Sequence, residues 1–219
     1  MRHLITKLNP RSLISEQYRT IRTNLQFAAV DQDLRSLVVT SSGPEDGKSV
    51  TTANLAVVYA QQGKKVLLID ADLRKPTVHY TFRLDNLQGL STILVGESIL
   101  EDSINSTDVE NLDVISCGPI PPNPSELLAS RRMELVLEQA KRLYDIVIFD
   151  TPPVLAVTDA KILANIVDGS LLVIRSTQTE IDAAKRAKET LETAHGKLFG
   201  TVLNDRDKKT SNYYYYYGG

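Results

Sequence analysis

Three stretches of this chain bring together residue types that handle phosphate. The first, Ser42-Gly43-Pro44-Glu45-Asp46-Gly47-Lys48-Ser49, follows the apolar run Leu37-Val38-Val39 and precedes a helical pattern from about Val50 to Gln62 that stops at Gly63. In a strand–loop–helix context, successive backbone N–H groups and the helix N-terminus surround a polyphosphate. Lys48 then reaches its β/γ oxygens and the Ser49 hydroxyl ligates Mg²⁺. The opening glycine of the usual phosphate-loop pattern is Ser42 here, so the flanking strand and helix carry the assignment. The expected nucleotide contacts are Gly43, Glu45, Asp46, Gly47, Lys48, Ser49 and Val50. The other two stretches, Val66 to Arg74 and Ile146 to Pro153, place Asp70, Asp72 and Asp150 at the C-terminal ends of apolar strands. That edge is where open parallel sheets bind ligands. A lone Asp at a strand end is more often a cap or turn residue. Three that converge on Lys48 and Ser49 point instead to Mg²⁺ held through a few carboxylates plus phosphate oxygens.

The elements that must position these groups read as a doubly wound α/β fold. Strand cores at 37–39, 66–69, 112–115, 146–149, 171–174 and 198–203 are almost wholly Val, Ile and Leu, as in a mainly parallel sheet covered on both faces. Helical patterns lie between them at about 50–62, 124–143, 158–167 and 182–195. Gly118-Pro119-Ile120-Pro121-Pro122-Asn123-Pro124 reads as a rigid surface loop. Before the first strand, Ile14, Tyr18, Ile21 and Leu25 recur at helical spacing over about 12–30, with Ser12 as N-cap. Glu16, Arg19 and Arg22 stand on the neighbouring stripe. The 219 residues suit a single domain.

Composition narrows the function. Lys plus Arg total 25 against 27 Asp plus Glu, a net charge of -2, which removes a whole-surface argument for nucleic acid or anionic membrane. One Cys excludes an internal disulfide framework and any several-thiolate metal site built by this chain alone. No apolar run approaches the ~20 residues of a membrane span, and the N-terminus lacks the apolar stretch of a secretory leader. A soluble, cytoplasmic chain is expected. Five of its nine tyrosines form the run Tyr213 to Tyr217, just before Gly218-Gly219, which leaves the body aromatic-poor.

Together, the loop with Lys48, Asp70-Ala71-Asp72 and Asp150 resemble the deviant-Walker branch of P-loop proteins, the MinD/ParA-like group. Gly43 stands where MinD and ParA ATPases carry a signature lysine five residues before the loop lysine, and Cys117 alone cannot share an iron–sulfur cluster. Within that branch the chain resembles the bacterial tyrosine kinase family over nearly its whole length, specifically the separate cytoplasmic kinase subunit of Gram-positive capsule and exopolysaccharide systems. The resemblance rests on Glu16-x-x-Arg19-x-x-Arg22, Pro44 to Ser49, Leu68 to Pro76, Gly118 to Leu127, Asp150-Thr151-Pro152-Pro153 and the tyrosine tail. Glu45 departs from the glycine that the family loop often has.

The resemblance implies an ATP- and Mg²⁺-dependent protein-tyrosine kinase. Lys48 would bind and neutralise the ATP phosphates; Ser49, Asp72 and Asp150 would hold Mg²⁺; Asp70 would be the base for the tyrosine hydroxyl; Asn204 would contact adenine. Glu16, Arg19 and Arg22 would form a head-to-tail contact in a ring-shaped homo-oligomer. Tyr213, Tyr214, Tyr215, Tyr216 and Tyr217, on a tail from about Asp205 to Gly219, would be phosphorylated in trans. A transmembrane adaptor would hold the kinase at the membrane, and a phosphatase, external protein substrates and polysaccharide synthesis would complete the system. Composition alone reads the tail as a frayed or β-prone end, and Glu16, Arg19 and Arg22 as a solvated face. The rival functions are a ParA/MinD-like ATPase switch, disfavoured by Gly43, and a non-catalytic assembly subunit in which the tyrosines form a docking strand.

Overall fold

A computed structural model describes residues 4–29 and 33–205. The tyrosine run and most of the expected tail lie outside these residues. Among the described residues seven strands, β1 (Ser36–Ser41), β2 (Val66–Asp70), β3 (Asn105–Ser106), β4 (Leu112–Ile115), β5 (Ile146–Asp150), β6 (Gly169–Arg175) and β7 (Lys197–Asn204), form one sheet in the order β3-β4-β2-β5-β1-β6-β7. All pairs are parallel except β3–β4. The helices are α1 (Ile5–Leu8), α2 (Leu13–Ala28), α3 (Lys48–Ala60), α4 (Val78–Phe82), α5 (Leu90–Val95), α6 (Pro124–Leu128), α7 (Arg131–Leu143), α8 (Asp159–Ala164) and α9 (Ile181–Glu192).

The unbroken apolar strands follow from cover on both sides. Successive side chains of a strand alternate faces, so Leu37, Val39, Leu68, Ile146 and Ile148 pack beneath α1, α2 and α3. Val38, Leu67, Ile69, Val147 and Phe149 pack on the opposite face against α5, α7 and α8. Every residue of β1, β2 and β5 is buried. Among the described residues β7 closes the sheet and pairs only with β6, which leaves it half exposed.

The expected helix at 12–30 is α2. The Ser12 hydroxyl accepts the Ser15 N–H at 3.1 Å, and Tyr18 and Leu25 are buried. The single helix expected at 124–143 is two, because the chain turns at Ala129 and Ser130. There the Ser130 hydroxyl donates to the Leu127 carbonyl at 2.7 Å and accepts the Met133 N–H at 3.4 Å, capping α7. α1, α4, α5 and the antiparallel edge strand β3 were not expected. No helix among the described residues is long and apolar enough to cross a membrane.

Candidate active site

Strand order explains why residues far apart in sequence meet. β5 lies between β2 and β1, so Asp150 is in register with Asp70 on one side and Val39 on the other. The loop after β1, the turn after β2 and the end of β5 therefore open onto one place.

The phosphate loop is tied down from within and from across the sheet. Asp46, expected among the nucleotide contacts, is buried with its carboxylate turned into the loop. Its Oδ2 accepts from the Gly43 N–H at 2.9 Å and the Ser42 hydroxyl at 2.8 Å, and its Oδ1 from the Thr179 hydroxyl at 2.8 Å. An anion facing a polyphosphate would repel it; an anion committed to the loop's own donors fixes the loop's curvature instead. The same bond takes up the Gly43 N–H. Gly47, at φ 92°, caps α3 in the left-handed region. A Cβ there would come within 2.1 Å of Asn204 Nδ2, the atom that donates to the Asp46 carbonyl at 2.9 Å. Asn204, expected at adenine, thus braces the loop from the end of β7. Glu45 is exposed and also adopts a left-handed backbone, φ 66°, the conformation that glycine takes freely.

At the mouth of the loop, Lys48 Nζ lies 3.0 Å from Asp72 Oδ2, 3.8 Å from Asp150 Oδ1 and 3.3 Å from Ser49 Oγ. Burial pulls the ammonium's pKa down, but Asp150 and Asp72 together with the Asp72 hydrogen bond and Asp70 outweigh it, so Lys48 is held above its ordinary value. Asp150 is fully buried. Loss of solvent drives its pKa up against the opposing pull of Lys48, Ser49 and Thr52. One of its oxygens, Oδ2, has no hydrogen-bond partner among the described residues.

Asp70 and Asp72 differ in access. Asp70 is wholly buried, and its oxygens accept the backbone N–H groups of Asp72 (3.2 Å), Thr77 (3.0 Å) and Val78 (2.9 Å). Burial and the nearby Asp150 charge push it to about 7 against those bonds. Asp72 instead lines a cavity of about 410 Å³ together with Glu45, Gly47, Lys48, Ser49, Val50, Lys75 and Thr77. Such a volume suits a small ligand. Asp70 is not on its wall.

The described residues contain no group of three or more His, Cys, Asp or Glu side chains arranged to hold a metal. A site of one hydroxyl and one or two carboxylates fits Mg²⁺, which takes the rest of its shell from water and phosphate. The unpartnered Asp150 Oδ2 beside Ser49 is the acceptor such an ion needs.

One clamp was missed. Arg74 donates from Nε to Asp159 Oδ2 at 2.9 Å and from Nη2 to the Ser125 hydroxyl at 2.9 Å. That hydroxyl donates to Asp159 Oδ1 at 2.6 Å. The turn that carries Asp72 is thereby fixed to the starts of α6 and α8. Arg74 and Ser125 both stand in motifs singled out from the sequence, but their meeting with Asp159 has no local signal.

On α2, Glu16 and Arg19 form an ion pair, and Arg19 also donates to the Pro10 carbonyl at 2.7 Å. Arg22 points the other way and donates to the Val58 carbonyl of α3 at 3.0 Å. Of the three expected contact residues, Arg22 therefore holds α2 onto its own subunit.

Comparison with known proteins is consistent over the whole chain. Residues 43–198 match the model of the AAA domain family AAA_31. Tyrosine-protein kinase YwqD of Bacillus subtilis is 54% identical over 99% of this chain and 92% of its own length. A putative tyrosine-protein kinase CapB of Staphylococcus aureus is 46% identical over 95% and 92%. Among solved structures, the chimerical protein CapA2B2 superposes with a TM-score of 0.91 at 47% identity, covering 94% of this chain and 90% of that one. The septum site-determining protein MinD of Pyrococcus horikoshii, complexed with Mg-ADP, gives 0.68 at 25% identity over 80% and 72%.

Proposed function

The chain belongs to the bacterial tyrosine kinases, built on a P-loop fold of the MinD/ParA type, and on that premise we propose how its own residues carry out phosphoryl transfer from ATP to tyrosine. The observation that carries the reading is a lysine whose ammonium is balanced by Asp72 and Asp150 at the mouth of a phosphate-loop cavity.

The polyphosphate enters the loop that Asp46, Thr179 and Asn204 brace, and Lys48 leaves its carboxylate partners for the β/γ oxygens. Ser49 and Asp150 would hold Mg²⁺, which when bound would supply positive charge to the phosphate oxygens. The exchange of Lys48 from Asp72 to phosphate frees Asp72 on the cavity wall, where it accepts the hydrogen bond of an incoming tyrosine hydroxyl. The tyrosine oxygen bonds to the γ-phosphorus as the bond to the β–γ bridging oxygen breaks, ADP departs, and the phenolic proton passes to Asp72. Asp70, expected as the base, is here assigned to hold residues 72–78 in place, because it would have to release three backbone N–H groups to reach a hydroxyl. Catalysis of this kind rests on positioning and charge neutralisation.

The acceptors are Tyr213 to Tyr217 of a neighbouring subunit in a ring, to which Glu16 and Arg19 contribute. Five phosphotyrosines would add about eight to ten negative charges per subunit and drive the ring apart. Through the family, the kinase serves capsular and extracellular polysaccharide synthesis. A transmembrane adaptor recruits it to the membrane, a phosphatase reverses its modification, and further proteins serve as substrates.

Incubation with γ-labelled ATP and Mg²⁺, with and without an adaptor peptide, tests the core of this reading. Label on the tail is expected. Free phosphate without labelled protein would identify an ATPase switch instead. Replacing all five tyrosines by Phe should leave a ring that ATP does not dissociate, as followed by light scattering, and dissociation of that variant would rule out the charge-repulsion step.

A further inference from the structure

A chain of polar contacts runs from the phosphate loop to the root of the tail. Thr179 Oγ1, which donates to Asp46, accepts the Arg175 N–H at 2.8 Å. The Arg175 guanidinium holds Asp205 Oδ2 through Nε at 3.0 Å and Nη2 at 2.9 Å. Arg175 ends β6 directly opposite Asn204 at the end of β7, and the Asn204 carbonyl accepts the Ser176 N–H at 2.8 Å. Asp205, the first residue past β7, has φ 55°, a left-handed conformation that a non-glycine residue keeps when its surroundings hold it there.

The two side chains are 29% and 60% exposed, and an ion pair so placed adds little to the stability of a fold. What it does fix is the heading of the chain at the point where the tail begins. Tyr213 is eight residues beyond Asp205, a reach of up to about 28 Å at ~3.5 Å per residue, so the root sets the centre of the space within which the acceptors can lie.

We propose that Arg175 is a positioning residue for the acceptor tail: by gripping Asp205 it sets the direction in which one subunit offers its tyrosines to the site of the next. The inference rests on the tail's being the phosphoacceptor in trans, as proposed above.

A two-chain assay tests it with full-length proteins. The donor carries Phe in place of Tyr213 to Tyr217 and so takes no tail label; the acceptor carries Lys48→Met and so donates none. Arg175→Met placed in the acceptor should slow its labelling about tenfold, the scale of loss expected from a misdirected reactant. The same change in the donor should leave the rate unaltered. Reversing the pair in the acceptor, Arg175→Asp with Asp205→Arg, should restore labelling, with thermal midpoints unchanged throughout. Equal labelling of the Arg175→Met acceptor, or a loss that appears only when the change is in the donor, overturns the proposal; the second outcome would place Arg175 in nucleotide binding. If the unaltered acceptor takes no label at all, the trans-transfer reading fails, and this inference falls with it.

Discussion

At the N-terminal end of the central strands, Asp168 accepts from the Arg35 N–H, the Ser36 N–H, the Ser36 hydroxyl and the Lys141 ammonium, all at 2.7–2.9 Å. At the C-terminal end, Asp150 keeps one oxygen with no partner among the described residues, while its other oxygen and Asp72 share the Lys48 ammonium. Burial alone would raise Asp168, but Lys141 and the donors of Arg35 and Ser36 outweigh it and hold the carboxyl below its ordinary value. Asp70 and Asp150 are pushed the other way. One residue type thus serves two purposes, told apart at Asp168 and Asp150 by whether the hydrogen bonds are completed. Asp168 joins β1, α7 and β6; the carboxylates around Lys48 leave charge and an open acceptor for something that arrives from outside.

The strongest way to break this comparison is Lys48→Met, which should lower tail labelling by roughly 10³-fold or more because the phosphate charge loses its partner. Asp150→Asn should follow at about 10²-fold, yet leave unfolding free energy unchanged or raised by about 1 kcal/mol in denaturant titrations, since a poorly compensated buried charge disappears. Asp168→Asn should show the reverse, with labelling within about twofold of the parent and a loss of about 1–3 kcal/mol. Equal behaviour of the two variants would erase the distinction drawn between the two ends.

The pH dependence of stability, measured without nucleotide or metal, separates the ends by sign. Asp70 titrates near 7 in the folded chain against an ordinary 3.8. The folded state therefore binds the extra proton between those values, and its stability falls as pH rises through that window, by at most about 1.4 kcal/mol per unit. Asp70→Asn should flatten this slope. Asp168, held below the ordinary value, contributes stability that is present above the usual carboxylate range and is lost as pH falls through its folded pKa. Asp168→Asn should remove that acid-side loss and leave the neutral slope unchanged. The smallest effect is expected from Asn204→Ala. Loss of one neutral hydrogen bond to the Asp46 carbonyl, about 1 kcal/mol, should weaken ATP binding severalfold in calorimetry while the strands remain intact.

The sheet was legible because its central strands are buried on both faces, and Val/Ile/Leu runs ending in Asp admit few other readings. β3 was not, since Asn105 and Ser106 carry neither periodicity nor apolar content and are recruited by β4 through backbone pairing and the Asn105 amide, which donates to the Val114 carbonyl at 3.4 Å. The break at Ser130 was hidden because Pro124 to Leu143 keeps helical composition throughout. In the site, Lys48 and Ser49 announce themselves by a local pattern. The separate tasks of Asp70 and Asp72 do not, because both follow the same strand and differ only in which backbone groups fold back upon them. The partners of Asp46 and Arg74, Thr179 and Asp159, lie 133 and 85 residues away, and such pairs arise from topology rather than from any neighbourhood in the chain.

The strand order also bears on how the molecule is made. β1 is translated first but finds its neighbours only when β5 and β6 appear, more than a hundred residues later, and the amide that steadies the phosphate loop belongs to Asn204 at the end of the last strand. During synthesis the early half of the chain has no sheet to join, an arrangement of distant pairings that slows folding and leaves apolar strands uncovered in the meantime. A firmly braced nucleotide site is therefore the last thing the nascent chain acquires, and a truncated product ending before residue 204 lacks that brace.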